Sequence, residues 1–113
     1  MQIVEISMLE RSGRTLTAIS LLKGFRDTGV NAVLMATDTH RQELIERFDI
    51  PRAWLTGLNH RSLITNYTII IDDYEHVEAI WNRDFSSEGF LRPLIGCTHV
   101  CIPNATAFIL CEP

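Results

Sequence analysis

An α/β fold, with an open, mostly parallel sheet of about four to five strands and helices on both faces, is predicted by three features of the chain. Apolar runs of strand length alternate with segments of helical periodicity. Two of the runs, Ala32-Val33-Leu34-Met35 and Ile69-Ile70-Ile71, are uninterrupted, as strands covered on both faces tend to be. Two runs end in polar groups, Ser12-Gly13 and Asp72-Asp73, where such sheets gather their ligands at the carboxyl ends of the strands. At 113 residues the chain reads as a single minimal domain, 1–113, below the usual size of a complete nucleotide-hydrolysing α/β domain.

The first strand runs from Gln2 to Met8, with Val4, Ile6 and Met8 on one face and Ile3 on the other, and the polar Glu10-Arg11-Ser12-Gly13 bounds it. From Arg14 the period changes. Ala18, Leu21, Leu22 and Phe25 fall at helical spacing, Leu16 and Ile19 widen the stripe, and Gly29 after Asp27-Thr28 supplies a C-terminal cap. Gly24 inside this helix costs about 1 kcal/mol relative to alanine, so tertiary packing has to hold it.

Val30 to Ala36 returns to strand character. Thr39, followed three residues on by Gln42, reads as a capping box for a second helix with Leu44, Ile45 and Phe48 on one face and an i,i+4 pair, Glu43 and Arg47, on the other. That helix ends before Pro51. Between Pro51 and Asn66 the pattern is weak, with Trp54-Leu55 as a short buried segment and a helical turn within Asn59 to Ile64. Tyr67 to Asp73 is the next strand, and Val77, Ile80 and Trp81 repeat at helical spacing behind it, with Asp73 as N-cap. A polar loop, Arg83 to Gly89, follows. Thr98 to Ile102 and Thr106 to Cys111 are two further strand-like runs parted by the turn signal Pro103-Asn104.

Composition narrows the class of function. An apolar share of 46% with 21% charged residues is that of a folded globular domain. A net charge of −4 disfavours a surface made to wrap nucleic acid, which leaves nucleic acid accessible only through a partner. No window has the length of a membrane span and no secretory leader precedes the first strand, so a cytoplasmic protein without membrane contact is expected. Cys97, Cys101 and Cys111 are odd in number and read as core residues. His40, His60, His76 and His99 show no ligand spacing, so no zinc site is expected.

The chemistry-bearing residues lie at the two polar strand ends. A phosphate-binding loop needs a glycine where the backbone turns its N–H groups inward, a cation for the outer phosphates and a hydroxyl for magnesium. Met8-Leu9-Glu10-Arg11-Ser12-Gly13-Arg14-Thr15 keeps the second glycine and the hydroxyl, has arginine in place of lysine, and has Met8 in place of the first glycine. Asp72 ends an apolar strand, where a carboxylate can hold hydrated magnesium, and Asp73 can orient or deprotonate a water.

With these residues the chain resembles the P-loop NTPases, Ser12-Gly13-Arg14-Thr15 standing at their Walker A motif and Ile69-Ile70-Ile71-Asp72-Asp73 at their Walker B motif. Within them it looks most like the branch in which a second acid follows the Walker B aspartate. The deviant Walker A is similar to that of viral DNA-packaging terminase large subunits and related helicase-like ATPases. The resemblance covers residues 1–104 in outline, with Thr98 to Asn104 at the place of a coupling strand.

It implies ATP at Ser12, Gly13, Arg14 and Thr15, magnesium at Thr15 and Asp72, and water activation by Asp73. Arginine for lysine and aspartate for the usual glutamate depart from the family pattern and imply weak hydrolysis or none, because a planar guanidinium does not reproduce a lysine point charge. Arg61, Arg83 and Arg92 are available by type as an arginine finger.

The same residues have ordinary structural uses: a turn glycine, two first-turn helix residues and an acidic N-cap pair. On that reading the domain is a non-enzymatic interaction or inhibitory module with a vestigial phosphate site. It would work through a protein partner or self-association, with Trp54, Trp81, Phe85 and Phe90 as candidate aromatic anchors.

Overall fold

The computed structural model describes residues 2–9, 13–57, 68–77, 79 and 106–111. Among the described residues, five parallel strands are joined in the order β1 (Gln2–Ser7), β5 (Thr106–Cys111), β4 (Thr68–Ile71), β2 (Ala32–Met35) and β3 (Leu55–Thr56), which puts the isoleucine strand β4 in the centre. The expected α/β class and parallel sheet are therefore what the chain forms. The register aligns Leu34 with Ile70, Ile70 with Phe108 and Phe108 with Val4, so one apolar row crosses four strands. Strand β3, at the end of this order, is the segment that sequence periodicity left open: Leu55 and Thr56 follow a turn of 3₁₀ helix at Arg52–Trp54.

Two helices among the described residues, the ones before and after β2, pack on the face that carries Leu34 and Ile70. Ala18, Ile19 and Leu22 of α1 (Arg14–Asp27) and Leu44 of α2 (Asp38–Phe48) join Ala32, Leu34, Ala36, Ile70 and Leu110 in one buried cluster, and the Phe25 ring meets Phe108 at 5.2 Å. Burying a residue such as Ile70 contributes about 1.5–3 kcal/mol. On the opposite face Val33, Met35, Ile69, Ile71, Ala107 and Ile109 are buried too, as is Val77 of the helical turn 74–77. This two-sided burial is why the strands read as continuous apolar runs.

The connection from β1 to β2 decides where the site forms. Because β5 and β4 lie between those strands, α1 has to cross over them, and it packs against both β2 and β4. Its first turn thus starts at the carboxyl end of β1 and lies beside the carboxyl end of β4.

Local signals set the helix ends. Gly29 adopts φ 84° and ends α1, with the Val30 N–H donating to the Phe25 carbonyl, as its cap position predicted. The second helix begins earlier than the Thr39–Gln42 pattern suggested. Its N-cap is Thr37, whose hydroxyl accepts from the His40 N–H at 3.4 Å, while Gln42 pairs with Glu46 instead. Thr37 follows directly on the buried end of β2 and already has extended geometry, so it captures the first free N–H before Thr39 can. Leu16 departs from the expected stripe: it is 59% exposed and faces away from the core.

Several sequence expectations lie outside the described residues. They are the turn within Asn59 to Ile64, the helical positions Ile80 and Trp81, the loop Arg83 to Gly89, the run Thr98 to Ile102 with its Pro103-Asn104 turn, the Thr98 to Asn104 coupling strand, and residues Arg11, Ser12, Arg61, Phe85, Phe90, Arg92, Cys97 and Cys101. Among the described residues, the strand between β1 and β4 is Thr106–Cys111.

Candidate functional site

Parallel strands present their carboxyl ends on one edge, and there the two marked stretches meet. Gly13 has φ 89°, a left-handed conformation, and no atom of the described residues would crowd a Cβ there, so among them the requirement for glycine is conformational and not steric. The turn delivers Arg14 and Thr15 into the first turn of α1. Thr15 Oγ1 donates to Asp72 Oδ2 at 3.1 Å, joining residues 57 positions apart in the chain. A cleft of about 340 Å³ opens beside this contact, lined by Gly13, Arg14, Thr15, Leu16, Asp72 and Asp73 together with His40.

Sequence spacing gave no sign of His40. It stands in the first turn of α2, and because β2 neighbours β4 its ring reaches Asp72: Nε2 to Oδ2 is 2.6 Å. Glu43 lies 3.8 Å from the other ring nitrogen. The Asp72 hydrogen bond raises the His40 pKa above its ordinary 6.5, burial opposes that rise, and the charges of Asp72, Glu43 and Asp73 add to it. A lone histidine just after a strand end, on the ligand-bearing edge, is the signal that could have marked it.

Arg14 does not extend freely into solvent. It is 7% exposed; Nη2 donates to the Leu110 carbonyl at 2.6 Å and lies 3.5 Å from both oxygens of Glu75. Glu75 is the second residue that sequence reasoning missed, since only the folding of β4 and β5 side by side brings it near Arg14. Asp73 is exposed, lines the cleft, and accepts the Val77 N–H on its carbonyl at 3.0 Å, so it also serves the expected N-cap position.

The cluster leaves two buried polar atoms without a protein partner among the described residues: Arg14 Nε and Asp72 Oδ1. Asp72 is only 2% exposed. An unpaired buried polar atom costs about 1–3 kcal/mol, and natural sites that carry one usually complete it with a ligand, ion or water. Asp72 Oδ1 and Thr15 Oγ1 are hard oxygen donors of the kind magnesium takes, together with its own waters. No cluster of three or more histidine, cysteine or acidic side chains arranged for a metal occurs among the described residues.

A second cleft, of about 410 Å³, lies on the other side of the first turn of α2 and includes Arg41, Arg52, Leu55 and Gly57. There Arg41 is already tied to Asp38 and to the Ala36 carbonyl. The expected interface anchor Trp54 is half-buried beneath Arg26, whose guanidinium lies 5.3 Å from its ring. No helix among the described residues is long and apolar enough to cross a membrane. Comparisons with protein-family models, with curated proteins and with solved structures found no match.

Proposed function

We propose that this chain binds a nucleotide through its phosphates, with magnesium, on a minimal P-loop-like domain, and hydrolyses it slowly or not at all. The observation that carries this reading is the Thr15–Asp72 contact at the carboxyl ends of β1 and β4, beside a cleft lined by Arg14 and Asp72, each of which has a buried polar atom without a partner among the described residues. Two stretches chosen for phosphate chemistry, far apart in sequence, are adjacent in space.

The roles follow from chemical type. The N–H groups of the Gly13 turn and the first turn of α1 suit an anion, and a ligand there would meet the positive end of the helix dipole. Ser12 belongs to the same proposed phosphate loop. Thr15 and Asp72 would hold magnesium, which supplies charge neutralisation for the phosphates. Exposed Leu16 offers an apolar wall at the mouth of the cleft. Asp73 is the group that would orient an attacking water. Arg14 is anchored on Leu110, so it offers the phosphates a fixed planar donor in place of a mobile lysine, which fits slow turnover.

Titration calorimetry with ATP and magnesium tests this on the wild-type chain and on Gly13→Val. Saturable heat in the wild type and its loss in the variant are expected. No heat and no rise in melting temperature at millimolar ATP would sink the proposal, because a ligand selective for the native state must stabilise it.

One observation favours a second reading, a cytoplasmic protein-interaction module with a vestigial site. Asp72 and Arg14 already have protein partners in His40 and Glu75. On that reading magnesium and ATP leave the melting temperature unchanged, and a protein partner or a second copy of the chain is the ligand.

A further inference from the structure

The two oxygens of Asp72 are used unevenly. Oδ2 accepts from Thr15 Oγ1 at 3.1 Å and is paired with His40 Nε2 at 2.6 Å, whereas Oδ1, also buried, has no partner among the described residues. A carboxylate oxygen has two lone pairs, so two donors fill Oδ2, and the capacity for a further partner is left on Oδ1. His40 is in turn held from behind. Its own N–H donates to the Thr37 hydroxyl, Glu43 stands 3.8 Å from Nδ1, and Glu43 accepts from Arg47 at 2.8 Å. Arg47, Glu43 and His40 thus form a line along α2 that ends on Asp72. The imidazole lines the cleft, yet the reading above gives it no part in holding phosphate or metal.

We propose that His40 is a positioning residue that sets which divalent cation the site accepts: by filling Oδ2 it restricts Asp72 to holding a cation through one oxygen. The inference rests on the reading of the cleft as a nucleotide and magnesium site and adds its metal specificity. Magnesium demands a near-ideal octahedron, which the narrow bite of a two-oxygen carboxylate does not fit, and it keeps several of its waters. Calcium takes about six to eight oxygens in a flexible arrangement and readily uses both oxygens of a carboxylate. Asp72 limited to one oxygen therefore suits magnesium and withholds from calcium a ligand it would use. Removing the imidazole frees a lone pair of Oδ2 and returns the second oxygen to calcium. Any charge on the imidazole acts on both cations alike, so comparing the two isolates the geometry.

The test is calorimetry of ATP binding with saturating magnesium and with saturating calcium, at one pH, on wild type, His40→Ala and His40→Gln. The wild type should bind ATP more tightly with magnesium. In His40→Ala that preference should fall about tenfold, the low end of what losing an outer-shell partner does to a metal site. His40→Gln, whose amide nitrogen can stand where Nε2 stands, should keep it. A wild type that binds ATP equally well with either cation overturns the inference and leaves the nucleotide reading intact. So does an unchanged preference in His40→Ala, or a loss as complete in His40→Gln, which would mean that the donor to Oδ2 is not what matters. If the wild type binds ATP with neither cation, the nucleotide reading falls and the inference with it.

Because His40→Ala removes a partner of a buried carboxylate and can destabilise the chain, a second measurement uses the wild type alone. The ¹⁵Nε2 resonance of the His40 ring should keep its hydrogen-bonded shift as ATP and magnesium are added to saturation. Release of that bond on binding overturns the inference, since a ring that leaves Asp72 no longer fills Oδ2.

Discussion

The two ends of α1 are built on opposite principles. At its C-terminal end, Gly29 takes the left-handed cap, the Thr28 hydroxyl bonds the Gly24 and Phe25 carbonyls, and Arg26 places a cation near the negative end of the helix dipole while donating to Ala32 at 2.8 Å. Its N-terminal end has a glycine without a side-chain cap, no acid in the first turn, and a buried arginine at the positive end of the dipole. Helix α2 shows what the usual remedy looks like, with Thr37 as side-chain cap and Asp38 in the first turn. One end of α1 is thus satisfied by its own sequence. The other has no acid in its own first turn and meets carboxylates from elsewhere in the chain, Asp72 and Glu75, and it is the end that faces the cleft.

Changes at the two ends should therefore separate. The largest effect is expected for Asp72→Asn, which removes the carboxylate shared by Thr15 and His40. Chemical denaturation should show a loss of about 1–3 kcal/mol, and magnesium should no longer strengthen ATP binding. Undiminished stability together with an intact magnesium effect would show that Asp72 does not organise the cluster.

Gly13→Val comes next. A β-branched residue at φ 89° is strained by roughly 1–2 kcal/mol, and the reshaped turn should weaken ATP binding by at least about tenfold. Equal ATP affinity in the variant would detach the turn from the ligand.

The charge balance at the cleft also predicts a pH dependence. His40 has a folded-state pKa above its unfolded value of 6.5, so its contribution to stability is complete below 6.5 and is lost as the pH rises through the raised folded value. Melting temperatures of the magnesium-free wild type should fall across that window relative to those of His40→Gln. Parallel curves for the two proteins would contradict the His40–Asp72 pairing.

The smallest effect is expected at the satisfied end. Gly24 lies in the helix with open space around its Cα, so Gly24→Ala should raise stability by about 0.5–1 kcal/mol and leave ATP affinity unchanged. A change in affinity there would blur the distinction between the ends.

How much of this was legible in the chain differs residue by residue. Ile69 to Asp72 announced a central strand because burial on both faces leaves no alternation to misread, and Gly13 and Gly29 marked turns because only glycine adopts positive φ without strain. The Thr15–Asp72 pair was legible as two motifs, but its contact depends on α1 crossing β5 and β4. The contacts of His40 with Asp72 and of Glu75 with Arg14 were illegible for the same reason, since only strand order brings these pairs together; His40 was marked only by its place just after a strand end. Leu55-Thr56 is too short to display a period, and Leu16 fits the helical stripe in spacing while the turn of the chain at Gly13 leaves it facing solvent.

Amide chemical shifts of the ¹⁵N-labelled chain, followed as ATP and magnesium are added, compare the two ends of α1 in one experiment. The account predicts saturable shifts at Gly13 to Leu16, His40, Asp72 and Asp73, with Gly24 to Gly29 unmoved. Absence of any shift at Gly13 to Leu16, or equal shifts at Gly24 to Gly29, would contradict it.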